Sequence, residues 1–182
     1  QLKDSGIRDL LVSVQGLDET YDAIVGVKGA SVKQRHGLEN IIQAGIPIRF
    51  NSVLSKPVLP QLERIAQLAV DVNARVVNFL AFNPFEDQQI AGKRNATNVP
   101  RYSDVSPYLN AAMDILAKGN VECNVRYFPI CMVAERHRKS MFNFQQLPYD
   151  YHEWDYASWS WTGQQPQRMK WGDCSPVADL AR

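Results

Sequence analysis

The chain has 182 residues, with 20 Lys and Arg set against 19 Asp and Glu for a net charge of +1. That balance gives no general electrostatic reason to expect a nucleic acid or an anionic membrane as partner. No run of about 18 apolar residues suggests a membrane span, no secretory signal opens the chain, and three irregularly spaced cysteines do not make a secreted disulfide framework, so a reducing cytoplasm is expected.

In chain order, Gln1 to Gly6 has no initiating Met and reads as a helix end running into a strand. The C-terminal GDCSPVADLAR also stops without an obvious structural close, so the sequence reads as the later part of a longer protein. The first strand is expected over Asp9 to Gln15. Its side chains alternate with a period of two, placing Leu10, Val12 and Val14 on one face and Leu11, Ser13 and Gln15 on the other. The second, Ile48 to Ser55, repeats this with Ile48, Phe50 and Leu54 against Arg49, Asn51, Val53 and Ser55. A parallel strand buried on both sides is apolar on both faces. Two consecutive strands with a polar face therefore point to an open barrel wall that holds a polar ligand.

Between them a helix is expected from near Ser31, burying Leu38, Ile41 and Ile42 and stopping at Gly45 before Pro47. A crossover of that length implies parallel strands. A second helix follows from about Pro60, with Leu62, Ile65, Ala66, Ala69 and Val72 on one stripe. A third strand, Arg75 to Asn83, ends at Pro84, and a polar loop spans Glu86 to Arg101. A third helix, Ser103 to Lys118, is expected to be capped by Ser103 and to bury Val105, Tyr108, Leu109, Ala112, Met113 and Leu116. A fourth extended run covers Val121 to Phe128. The alternation predicts an α/β fold with right-handed crossovers.

Val12 to Leu54 resembles the central part of radical S-adenosylmethionine (radical SAM) enzymes. The resemblance is carried by S-x-x-G at Ser13 to Gly16, Tyr21-Asp22-x-Ile24-x-Gly26 with Lys28-Gly29, Ala44-Gly45-Ile46-Pro47, and Asn51-Ser52-Val53-Leu54. It extends over roughly the first half, Gln1 to about Pro84. It implies a parallel (β/α) partial TIM-type barrel fragment over residues 1–119, with an irregular C-terminal extension over 120–182 that could close the barrel mouth. The first three strands would be the fourth, fifth and sixth of a six-stranded partial barrel.

Carried over by position, the resemblance implies that Ser13 and Gln15 offer polar contacts to the ribose and methionyl parts of the cofactor. It likewise places Asn51 and Val53 against the cofactor, Val53 packing on the adenine, with Leu80 and Phe82 bordering the adenine. Arg49 falls on the same face by parity, where a carboxylate partner is expected, either the cofactor's own or an Asp or Glu. Asn83 points the other way by parity and stays outside the main site. The implied cofactors are S-adenosylmethionine and a [4Fe-4S] cluster. The implied partners are a small-molecule or peptide substrate and a reductant protein, with no nucleic acid and no membrane. The reaction would be 5′-deoxyadenosyl-radical chemistry of an oxidoreductase or transferase.

The family's C-x3-C-x2-C cluster loop is absent from this sequence and is expected upstream of Gln1. Cys131 and Cys174 could bind an auxiliary cluster, although such clusters want several closely spaced thiolates. The alternative is a buried Cys123 and two ordinary free thiols. His36 on a helix reads as solvated. His137, in Glu135-Arg136-His137-Arg138-Lys139, could meet an anionic substrate or sit on a solvated helix face. His152 with Asp150, Glu153 and Asp155 lacks any fixed metal-ligand spacing. Trp154, Trp159, Trp161 and Trp171 could stack on a substrate or pack the extension over the barrel mouth. A second functional class stays open: a non-catalytic α/β-barrel fragment or interaction module.

Overall fold

The computed structural model describes residues 5–81 and 97–141. Its strands are β1 (Leu10–Ser13), β2 (Ile48–Val53), β3 (Val76–Leu80) and β4 (Glu122–Arg126). Its α-helices are α1 (Asp18–Val25), α2 (Ala30–Gln43), α3 (Leu62–Asp71) and α4 (Tyr102–Lys118). The fold is therefore mixed α/β. The four strands form one sheet in the order β1-β2-β3-β4, every pair parallel.

One face of the sheet makes the core. Val14, Ile48, Phe50, Leu54, Val77, Phe79, Ala81, Cys123 and Val125 from that face join one buried cluster with residues of α2, α3 and α4. Helix α3 supplies Leu62, Ile65, Ala66 and Ala69, spaced three or four apart and so turned to one side. Helix α4 supplies Val105, Leu109, Ala112, Met113 and Leu116 in the same manner. Pro60 sits inside the 3-10 turn Leu59–Gln61 that leads into α3, where its lacking N–H costs nothing.

Several expectations shift. Helix α1 was expected only as part of a motif; it is a helix ended by Gly26 in the left-handed region. In α2 only Ser31 and Leu38 are buried, Ile41 packs at the cluster's margin, and Ile42 is 45% exposed. That buried stripe is shorter than the periodicity predicts. Tyr108 in α4 is 39% exposed and does not join the buried cluster. The α4 N-cap is Arg101, in an extended conformation, so Ser103 is already inside the helix and makes no cap. The third strand runs over Val76–Leu80, shorter than Arg75 to Asn83. Strand β4 is hydrogen-bonded to β3, so the sheet includes Glu122–Arg126. Among the described residues no helix is long and apolar enough to cross a membrane.

A candidate ligand-binding face

The other face of the sheet is built from the alternate residues of the same strands. Strand register lines them up in rows, because paired residues of neighbouring parallel strands point the same way. The lowest row is Leu11, Arg49, Val76 and Glu122. The middle row is Ser13, Asn51, Asn78 and Asn124, one hydroxyl and three carboxamides across four strands. Toward the C-terminal ends of the strands stand Val53, Leu80 and Arg126. All three asparagines are half-buried, and Ser13 is exposed.

The carboxamides are ordered by one another. Asn78 Nδ2 donates to the Phe50 carbonyl at 3.2 Å, and Asn124 Nδ2 donates to Asn78 Oδ1 at 3.3 Å. Asn124 Oδ1 is buried and has no hydrogen-bond partner among the described residues. No hydrogen bond joins the Ser13 hydroxyl or the Asn51 carboxamide to another described residue; their contacts run through backbone carbonyls, Ser13 O accepting from Gln34 and Asn51 O from Gln15. Asn78 and Asn124 were not among the candidates read from the sequence. Parity would have found them, since Asn78 shares a face with Leu80 and Asn124 with Arg126.

Two expected site residues are engaged within the protein. Gln15 Oε1 accepts from Val53 N–H at 2.8 Å, and its Nε2 faces Asn51 O at 3.4 Å. The side chain continues the ladder to β2 where the β1 backbone has already left it. Arg49 meets Asp9, Nη2 at 2.8 Å and Nε at 3.1 Å from one carboxylate oxygen. Of the two partners expected for this guanidinium, the structure supplies the aspartate. The pair also lies in the lowest row, away from the strand ends where α/β sheets bind ligands. Val53 and Leu80 are half-buried partners in the ladder, forming an apolar step beside the middle row. Phe82 and Asn83 lie outside the described residues, as do Cys174, His152 and the four tryptophans.

The turn after β1 is tightly specified. Gly16 has φ +104°, and a Cβ there would lie 2.9 Å from Thr20 Cγ2. Gln61, at the entry to α3, accepts from Leu17 N–H at 2.6 Å and donates to Thr20 Oγ1 at 2.8 Å. Asp18 pairs with Arg35 of α2 at 3.0 Å and Arg64 of α3 at 2.9 Å. The Tyr21-Asp22 to Lys28-Gly29 motif has a local role: Asp22 accepts from Gly29 N–H at 2.5 Å and Ser31 N–H at 2.7 Å, tying α1 to the start of α2. Those amide donors, Ser31's first, hold the Asp22 carboxyl below its ordinary range.

Beyond β4, the segment Glu135–Ser140 is a 3-10 helix docked on α4. Arg136 binds Asp114 through two bonds of 2.8 Å, and His137 Nε2 lies 2.8 Å from Asp114 Oδ1. His137 is 6% exposed. The expected solvated helix face is thus corrected: the ring is a buried anchor, and its partner lies on another element. Hydrogen bonding from Arg136, then His137, holds the Asp114 carboxyl well below the ordinary carboxylate range. His36 stays at the surface near Glu39. Cys123 is buried, and desolvation, aided by the Glu122 charge, pushes its thiol up to about 12. Cys131 is exposed. Among the described residues no three His, Cys, Asp or Glu side chains are grouped to hold a metal ion.

Comparison with known proteins finds no matching family, no matching curated protein and no matching solved structure.

Proposed function

We propose that the polar face is the wall of a partial (β/α) barrel that binds S-adenosylmethionine in a radical SAM enzyme. The observation that carries this reading is the Ser13-Asn51-Asn78-Asn124 row with the Val53-Leu80 step beside it. Polar groups next to an apolar step suit a ligand with a ribose and an amino-acid end joined to a flat base. The sheet order also supports a barrel: each strand pairs with its sequence neighbour and the order never reverses, whereas an open doubly wound sheet has a switch point.

On this reading Ser13 and Asn51 orient the polar parts of the cofactor, and Val53 and Leu80 pack on its adenine. Gln15 acts one step back by holding the β2 backbone in place. Bound S-adenosylmethionine supplies radical chemistry once reduced, while the chain supplies position and exclusion of water. The described residues do not fit an iron-sulfur cluster, since Cys123 is a buried thiol and Cys131 stands apart from other ligating groups. The substrate is a small molecule or peptide, a reductant protein is the electron source, and free thiols accord with the cytoplasm. The second reading, a non-catalytic α/β module, is favoured by one observation: Gln15 and Arg49 are already satisfied inside the protein.

Calorimetric titration with S-adenosylmethionine separates the two. Saturable binding is expected, weakened about fivefold by Ser13→Ala or Asn51→Ala, as for loss of one hydrogen bond worth about 1 kcal/mol. A folded chain that takes up no S-adenosylmethionine overturns the first reading and leaves the second.

A further inference from the structure

The middle row is longer than one cofactor contact requires. Adjacent strands are about 4.8 Å apart, so Asn124 stands roughly 10 Å along the row from Asn51. The orientation of its carboxamide is relayed from the backbone. The Phe50 carbonyl can only accept, so Asn78 must present its NH2 to it. Asn78 therefore turns its oxygen to Asn124, and Asn124 must answer with its own NH2. What remains is Asn124 Oδ1, an acceptor fixed in direction, buried, and lacking a donor among the described residues.

A buried acceptor without a donor is unfavourable in the chain by itself, and a ligand that brings the donor removes that penalty. We propose that Asn124 Oδ1 is the anchor for the substrate and accepts from a neutral amide N–H or hydroxyl on it, with Asn78 as the positioning residue. This deepens the reading of the face as a ligand wall and rests on it. A neutral donor fits better than an ammonium group. The row itself is uncharged; in the row below, the Asp9 carboxylate is held by Arg49 and Glu122 is exposed to solvent, while Arg126, two residues from Asn124 on the other side, adds a positive charge that disfavours a cation. A cation drawn into such a site would find no free anion on the row to offset its desolvation.

The test uses the full chain, labelled with nitrogen-15, and follows side-chain amide resonances as small probes are added. N-methylacetamide and ethylene glycol each bring a neutral donor and separate the amide from the hydroxyl source. N,N-dimethylacetamide brings none, and methylammonium brings a charged one. Either neutral donor is expected to shift the Asn124 and Asn78 amide signals, with dimethylacetamide and methylammonium silent. Asn124→Leu is expected to weaken the probe's effect on Asn78 about fivefold or more. If Leu does not fold there, Asn124→Val, a β-branched strand former, takes its place. Equal shifts from dimethylacetamide, preference for methylammonium, or shifts at Asn78 unchanged in the variant would each overturn the proposal. S-adenosylmethionine is titrated in parallel with Asn51 as reporter. Silence there with intact probe shifts at Asn124 removes the cofactor reading alone, and the reverse removes the substrate anchor alone.

Discussion

The two faces of the sheet are made from alternate residues of the same short strands, yet they are finished in different ways. On the face beneath the helices, Phe50, Phe79 and Val125 are fully buried, and the Ser52 hydroxyl is satisfied by the Val14 carbonyl at 2.6 Å. On the opposite face, carboxamides and a hydroxyl stand half-buried or exposed, one acceptor lacking a donor. The first face is closed by the chain's own helices and carries its stability. The second holds polar groups in fixed rows, one of them at a cost to stability, as binding surfaces do when they sit on a rigid scaffold.

The sharpest way to break that contrast is a pair of neighbouring substitutions. Phe50→Ala should destabilise the fold by about 3–5 kcal/mol, whereas Asn51→Ala next to it should cost about 1 kcal/mol or less. Urea denaturation measures both, and similar losses would mean that the polar face is also core. Next in size is Gly16→Ala at the end of β1, where a positive φ and the nearby Thr20 methyl combine. A loss of about 1–3 kcal/mol is expected by the same method.

A third prediction concerns the segment that follows β4. The Asp114 carboxyl is held below its ordinary value, so its contribution to stability is present above that value, 3.8, and fades as the pH falls toward the folded-state value. Asp114→Asn should therefore flatten the acid limb of the stability profile, measured by urea denaturation across a pH series. An unchanged acid limb would show that the Arg136 and His137 contacts do not anchor this segment. The smallest effect is expected at Arg49, paired with Asp9 while 38% exposed. Arg49→Met should change stability by about 1 kcal/mol or less and, on the proposed reading of the face, leave S-adenosylmethionine affinity unchanged; weaker binding in the titration would return Arg49 to the proposed site.

Much of this contrast was legible from alternation. Ser13 and Asn51 fell on one face and Phe50 and Leu54 on the other by parity alone, and the register agrees. The stripe of α3 was legible too, because its apolar residues repeat without interruption. What escaped depended on partners far along the chain. Arg49 could be placed on a face, but its choice of Asp9 follows from strand pairing. His137 looked solvated among charged neighbours, and its burial follows from Asp114 on a helix 23 positions earlier. Asn124 was hidden for the same reason, since its meaning appears only when β4 is laid in register beside Asn78.

The unbroken strand order has a further consequence for how the molecule is made. Each ladder joins a strand to the one synthesised just before it, so no described strand has to wait for a later one to be inserted between it and its neighbour. The sheet can grow by accretion in the direction of translation, each new unit docking on an edge already formed. The polar row would be extended one asparagine at a time, and the orphan acceptor on Asn124 would be set last, when β4 completes the relay.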